Sequence, residues 1–194
     1  PAKEVSGRII WGVNYRKIGI GPKKGKNFKV KCPTTYLSTI IFKNNTVIRL
    51  TLSFDVIAHQ RNHIELYGKN GSLIVPDPNM FGGSVYTCKK LGNPWKEFKT
   101  DKMLLGKINI KTQSSRANES PTNANYRGAG LAEMAYCIEK RKKHRCNGEL
   151  ALHILDIIES TMKASISGIP QKIKTNCKKP IKFSYNEIKK LLTK

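Results

Sequence analysis

The chain has 194 residues, 39% of them hydrophobic and 25% charged, enough apolar material for a folded core and too much for disorder driven by composition. Its 36 Lys and Arg against 13 Asp and Glu leave a formal charge of +23, which attracts polyanions in general; only eight of these cations are arginine, and they are spread along the chain rather than gathered on one arm. No apolar run reaches membrane-spanning length and no secretory leader opens the sequence, so a soluble cytoplasmic protein is expected, touching nucleic acid only nonspecifically and no membrane.

A single domain is expected, with 1–111 mainly sheet, 112–125 an exposed loop, 126–170 a pair of helices and 171–194 a basic tail. Strands are expected at Glu4 to Trp11 and Phe28 to Cys32. Two longer ones follow, Thr34 to Phe42 and Thr46 to Val56, rich in β-branched and aromatic residues and joined through Lys43-Asn44-Asn45 as a hairpin. In the second arm Ile48, Leu50, Leu52, Phe54 and Val56 alternate with Arg49, Thr51, Ser53 and Asp55, so the apolar set is expected in the core. A second hairpin is expected from Asn62 to Tyr67 and Ser72 to Val75 around Lys69-Asn70-Gly71, stopped by Pro76-Asp77-Pro78-Asn79. Strands at Ser84 to Cys88 and Trp95 to Lys99 complete a large, mostly antiparallel sheet.

Beyond the polar stretch 112–125 the period changes to 3.6. Leu131, Met134, Ala135 and Ile138 mark one helix, and Ala151, Leu155, Ile158, Met162 and Ile166 a second, ended by Gly168 and Pro170; both stripes are expected to cover one face of the sheet. The basic tail suggests a strand at Lys172 to Thr175 and a short amphipathic helix at Asn186 to Leu192.

Chemistry is sparse. Gly19-Ile20-Gly21-Pro22-Lys23-Lys24-Gly25-Lys26 has the glycines of a phosphate loop, but Lys24 stands where a dinucleotide loop needs its third glycine, and Asn27 where a triphosphate loop needs Ser or Thr. A basic turn is the better reading. Gly128-Ala129-Gly130 opens a helix without a preceding strand, and reads as a turn. On a strand rising about 3.3 Å per residue, His59 and His63 stand about 13 Å apart, too far to share an ion at about 2 Å from each. The five cysteines, Cys32, Cys88, Cys137, Cys146 and Cys177, form no Cys-x-x-Cys pair, which argues against a disulfide framework and a zinc site. There is no Gly-x-Ser-x-Gly elbow. The run Lys140 to Arg145 reads as a solvated helix end, and His153 as a packed residue.

Several of these segments form a series. Pro33-Thr34-Thr35-Tyr36, SFDVIAH from Ser53 to His59, IELYGKNGSLIVPDPNMFGG from Ile64 to Gly83, YRGAGLAEMA from Tyr126 to Ala135 and GELALHILD from Gly148 to Asp156 resemble, in order, the C-terminal domain of the Gfo/Idh/MocA (glucose-fructose oxidoreductase and inositol dehydrogenase) family. The resemblance implies an α+β fold: an open, mostly antiparallel sheet with helices on one face, of the dihydrodipicolinate reductase-like C-terminal type, whose other face closes over a nucleotide-binding domain and often forms a subunit interface. It implies NAD or NADP as cofactor, a small sugar or polyol as substrate, a Rossmann domain or partner chain to complete the enzyme, and a homo-oligomer. The family's dinucleotide fingerprint, Glu-Lys-Pro lysine and Asp-x-x-x-His pair have no counterpart in these residues, so no catalytic residue is assigned and tight cofactor binding by this chain alone is not expected. The pocket wall would come from polar side chains, and His59, Arg61, His63, Tyr126 and Arg127 are the candidates. The alternative is a basic, non-enzymatic module that binds a polyanion or protein partner through its charge.

Overall fold

The computed structural model describes residues 1–108, 126 and 128–192; the loop expected over 112–125 lies outside them. In chain order the strands are β1 (Ala2–Ile10), β2 (Tyr15–Lys17), β3 (Asn27–Lys29), β4 (Thr35–Phe42), β5 (Val47–Ser53), β6 (Ile64–Gly68), β7 (Gly71–Val75), β8 (Ser84–Cys88), β9 (Lys96–Lys99) and β10 (Gln171–Lys172), and the helices are α1 (Ala129–Glu139), α2 (Gly148–Ser167) and α3 (Tyr185–Leu192). The fold is α+β, and every strand pair is antiparallel. The strands are shared among three sheets: a first, ordered β10-β1-β4-β5, a second, ordered β6-β7-β8-β9, and a two-stranded ribbon, β2-β3. Two compact units contain them, residues 1–59 with 145–180 and residues 60–144 with 181–194.

In the first unit the core lies between the first sheet and α2. Val5 pairs with Ile40 and Ile40 with Ile48; Ala2, Val5 and Ile40 are buried, with Phe42, Leu50, Ile157 and Ile173 packed around them. One row along, Gly7 pairs with Ser38, and a Cβ at Gly7 would stand 2.7 Å from the Leu37 carbonyl oxygen and 2.9 Å from Thr161 Cγ2, so the absence of a side chain lets the helix approach the sheet. The free edge of β1 is tied to α2, because the Ile9 N–H donates to Ser165 Oγ at 3.0 Å. Asn147 caps the start of α2 by accepting from the Leu150 N–H, and Gly168, at φ 74°, ends it as expected.

Two expectations about the core are corrected. The face of α2 that is buried consists of His153, Ser160, Thr161 and Ala164, not the stripe through Ala151, Leu155, Ile158, Met162 and Ile166; Leu155 is 49%, Ile158 45% and Ile166 83% exposed. The sheet beneath presents Gly7 and Ser38, and a helix sitting that close needs small or hydrogen-bonding residues rather than large aliphatic ones. The expected strand to Val56 ends at Ser53, leaving Phe54 and Val56 exposed, and Ile48 and Leu52 are exposed too. As the edge strand farthest from β1, on which α2 rests, β5 receives little of the helix's cover.

In the second unit β6 and β7 form the expected hairpin, Gly71 taking φ 135° at the turn, and β8 and β9 extend it. Instead of sharing the face covered by α2, α1 belongs to this unit and packs on α3, where Cys137, Glu133 and Ile188 are buried. A reciprocal pair of bonds starts α3: the Ser184 N–H donates to Glu187 Oε2 and the Glu187 N–H to Ser184 Oγ. Among the described residues no helix is long and apolar enough to cross a membrane.

Candidate functional site

The second sheet gathers three of the five candidate residues at one end. Ile64, the first residue of β6, pairs with Val75, the last of β7, and Ser84, the first of β8, pairs with Lys99, the last of β9. The segments 61–63, 76–83 and 100–106 therefore leave the sheet from the same end. Arg61 and His63, both exposed, precede β6. In the β7–β8 connection Asp77 Oδ1 accepts from the Asn79 N–H at 2.9 Å and opens a single 3-10 turn, Pro78–Met80. Phe81 follows at φ 66°, a conformation unusual for a residue with a bulky side chain. Three contacts hold it: its N–H donates to the Pro78 carbonyl, its backbone bridges to Ile108, and its ring meets that of Tyr126 at 5.3 Å between centroids, tilted by 57°.

Thr100 binds the base of this arrangement. Its Oγ1 accepts from the Gly83 N–H at 3.0 Å and lies 2.9 Å from the Gly83 carbonyl oxygen and 2.6 Å from that of Gly106, either of which its proton can serve. On β6 itself Glu65 accepts from Asn62 Nδ2 at 2.7 Å and from the Tyr67 hydroxyl at 2.5 Å; the Tyr67 bond first, then Asn62, holds the carboxyl below the usual range, while the same bond raises Tyr67. The guanidinium, imidazole and phenol at this sheet end are donors of the kind that bind hydroxyl and carbonyl oxygens.

His59 is exposed at the end of the first unit, whereas His63 belongs to the second, and Arg127 falls outside the described residues. Among the described residues no three His, Cys, Asp or Glu side chains group as a metal site requires. His153 is a packed residue, as its place inside a helix suggested.

Sequence reasoning missed one polar cluster. Asp55 Oδ2 accepts from the hydroxyls of Thr34 and Thr35, both at 2.7 Å, and Oδ1 from Arg16 Nη2 at 3.0 Å, while Thr34 Oγ1 receives the Gly12 N–H at 2.8 Å. The bonds from Thr34 and Thr35, with Arg16 adding, hold the Asp55 carboxyl below its ordinary range against the opposing effect of desolvation. The signal was present: Thr34-Thr35 and SFD are two of the family-like segments, and the cluster joins them. Stability from such a carboxylate is complete above its unfolded pKa and is lost as pH falls through its lower folded value. Asp55→Asn is therefore expected to flatten the acid limb of melting temperature against pH; an unchanged limb would remove Asp55 from this role.

Neither glycine-rich stretch fits a dinucleotide. Residues 18–26 form the turn between β2 and β3, with Gly21 and Gly25 at positive φ, so a second strand follows where a helix N-terminus is required. At α1, a Cβ on Gly128 or Gly130 would meet nothing within 4 Å, so neither glycine is demanded by a close backbone approach.

No protein-family model matches this sequence, and no curated protein does. Solved structures do. An oxidoreductase domain protein from Kribbella flavida superposes with a TM-score of 0.61 at 15% identity over 89% of this chain and 44% of its own. Levoglucosan dehydrogenase in complex with NADH and L-sorbose superposes with a TM-score of 0.64 at 11% identity, over 90% of this chain and 45% of its own. An oxidoreductase from Agrobacterium radiobacter, in complex with NAD+, L-tartaric acid and magnesium, gives 0.57 at 11% identity over 89% and 43%. These neighbours belong to the class of enzyme that the sequence segments resemble, and the likeness at this identity is one of fold. The chain spans less than half the length of each.

Proposed function

We propose that this chain is the C-terminal, substrate-side half of an NAD(P)-dependent sugar or polyol oxidoreductase, contributing a pocket wall and a subunit interface and catalytically incomplete by itself. The observation that carries this reading is the fold match, about nine-tenths of this chain against less than half of each neighbour. In that reading the nucleotide and its hydride chemistry belong to a Rossmann domain, because the two glycine-rich turns here do not fit a dinucleotide. Arg61, His63 and Tyr126, at one end of the second sheet, hydrogen-bond the hydroxyls of the sugar or polyol and fix the reacting carbon. Arg127, the neighbour of Tyr126 in sequence, is assigned to the same wall. The exposed stripe of Leu155, Ile158 and Ile166 supports the reading as well, since an aliphatic helix face left in water is a surface a second domain or subunit covers. A cytoplasmic homo-oligomer follows from the same reading.

The test begins with the coding DNA upstream of Pro1 and a search for a companion gene. A strand, Gly-x-Gly-x-x-Gly turn and helix encoded in frame or next door, and NAD(P) reduction by the combined protein with a sugar or polyol, are expected. Ile158→Ser with Ile166→Ser should leave the melting temperature of this chain nearly unchanged and weaken its association with the nucleotide-binding half. The absence of any such half, in frame or as a copurifying chain, would overturn the reading.

A further inference from the structure

We propose that the β2–β3 ribbon is an arm that binds single-stranded nucleic acid without reading its sequence. The chain has no Asp or Glu from residue 5 to residue 54, and seven of its Lys and Arg fall between residues 16 and 31. The positive charge spread along the chain is denser here, and locally unopposed. The fold keeps it so. Asp55, the carboxylate that meets the ribbon, is already engaged by Arg16, Thr34 and Thr35. Among the described residues Lys17, Lys23, Lys24, Lys26 and Lys29 enter no ion pair. The ribbon belongs to the first unit, whereas Arg61, His63 and Tyr126 belong to the second, so this inference does not rest on the oxidoreductase reading.

Hydrogen bonds order the ribbon along its length. Tyr15 pairs with Lys29, Arg16 with Phe28 and Lys17 with Asn27. At the tip the Ile18 N–H donates to the Lys26 carbonyl and the Gly25 N–H to the Ile18 carbonyl, while the N–H groups of Lys24 and Lys26 donate to the carbonyls of Gly21 and Lys23. Lys23, Lys24 and Lys26 therefore extend from one closed turn, and every residue from 19 to 29 is exposed. Alternation places Arg16 and Phe28 on one face, and from it Arg16 reaches back to Asp55 and the Phe54 carbonyl. The face of Tyr15, Lys17, Asn27 and Lys29 is then the outward one. On it Tyr15, 63% exposed, stands directly across from Lys29, with Lys17 next along its own strand. An open aromatic ring among ammonium groups suits a single strand, whose bases stack on the ring while its phosphates meet the cations. A duplex, with its bases stacked on one another, offers that ring no free base. A membrane surface calls for apolar groups gathered on one face, and this face has a single ring among polar groups.

The test follows the fluorescence anisotropy of a labelled oligothymidylate of about 12 nucleotides, titrated with the whole chain over a series of salt concentrations. Saturable binding is expected, with log K falling against log salt by about 0.7 for each phosphate met. Lys23→Ala with Lys24→Ala should reduce that slope by about 1.4, whereas Lys178→Ala with Lys179→Ala, an equal loss of charge at exposed positions of the tail, should leave it unchanged. Tyr15→Ala should weaken binding about tenfold at every salt concentration, and Tyr15→Phe, which keeps the ring, should bind nearly as wild type does. Equal losses of slope in the two double variants would mean attraction by net charge alone and overturn the arm. An unchanged affinity in Tyr15→Ala also overturns it, as does the absence of saturable binding. So does displacement of the oligonucleotide by phosphatidylserine vesicles or by polyglutamate at equal charge concentration, since the arm would then belong to a membrane or to an acidic protein.

Discussion

Gly82→Ala is expected to disrupt the second unit, costing about 3 kcal/mol or more, because the new methyl group meets backbone rather than movable side chains. A Cβ at Gly82 would lie 1.9 Å from the Gly106 carbonyl oxygen and 2.4 Å from its carbon; one at Gly106 would itself lie 1.9 Å from the Thr100 carbonyl oxygen. The first contact joins the two segments through bare backbone, and the second closes segment 100–106 on itself in the same way. Accommodating the methyl group means moving residues 100–106 by more than an ångström, and that breaks the Thr100 bonds to Gly83 and Gly106 and removes the support under Phe81 and Tyr126. The loss should read as a fall of roughly 10 °C in the melting temperature. Gly128→Ala is the control, since its Cβ would meet nothing within 4 Å; it is expected to lie within about 0.5 kcal/mol of wild type. Equal melting temperatures for the two variants would refute the close approach.

The second large effect belongs to His153, 3% exposed beneath the sheet. Its Nε2 accepts the Ala2 N–H at 2.9 Å, so in the neutral ring Nδ1 carries the proton and donates to Thr175 Oγ1 at 2.9 Å. The Thr175 hydroxyl in turn donates to Asp156 Oδ2 at 2.9 Å, and Asp156 also accepts from the N–H groups of Lys174 and Thr175. One side chain thus ties the first strand, the helix and the tail together. His153→Ala leaves the buried Ala2 N–H without its acceptor and opens a cavity, an expected cost of about 3 kcal/mol.

The same ring makes stability depend on pH. Burial, with the α-amino group and Lys43 adding and Asp156 and Thr175 opposing, pushes its pKa below the ordinary 6.5. The unfolded chain therefore binds the proton more readily than the folded one, and proton uptake favours unfolding. Stability from this group is complete above pH 6.5 and declines as pH falls from 6.5 toward the folded pKa. Protonating Nε2 would also set a second donor against the Ala2 N–H. The slope of unfolding free energy just below pH 6.5 should be smaller in His153→Ala than in wild type. Parallel slopes would show that His153 does not titrate across folding.

Much of the fold was legible in local pattern. Asn and Gly at 70 and 71 mark a hairpin, Gly168 with Pro170 a helix stop, and β-branched and aromatic content marks β4, because turn chemistry and residue type are properties of neighbouring residues. The three-residue β2 carries too short a pattern to be read that way. Of the candidate site, residue types and the family-like segments were legible. That Arg61 and His63 leave the second sheet from the same end as the segment bearing Phe81, on which Tyr126 packs, follows from the pairing of Ile64 with Val75, which no single segment encodes.

By itself, then, the sequence determined the fold class, most strands and helices and the strong positive charge; each of these is set by residue type, spacing or turn preference over a few positions. Only the tertiary structure decided which face of α2 is buried. Periodicity marked Leu155, Ile158 and Ile166 as one apolar face, but the approach permitted by Gly7 and the bond from Ala2 to His153 turned a different face inward. Strand partners and distances across the fold likewise joined Thr34, Thr35 and Asp55 into one cluster. Which face is buried and which groups meet are settled by partners up to 151 residues away in the chain, and no local pattern carries that information.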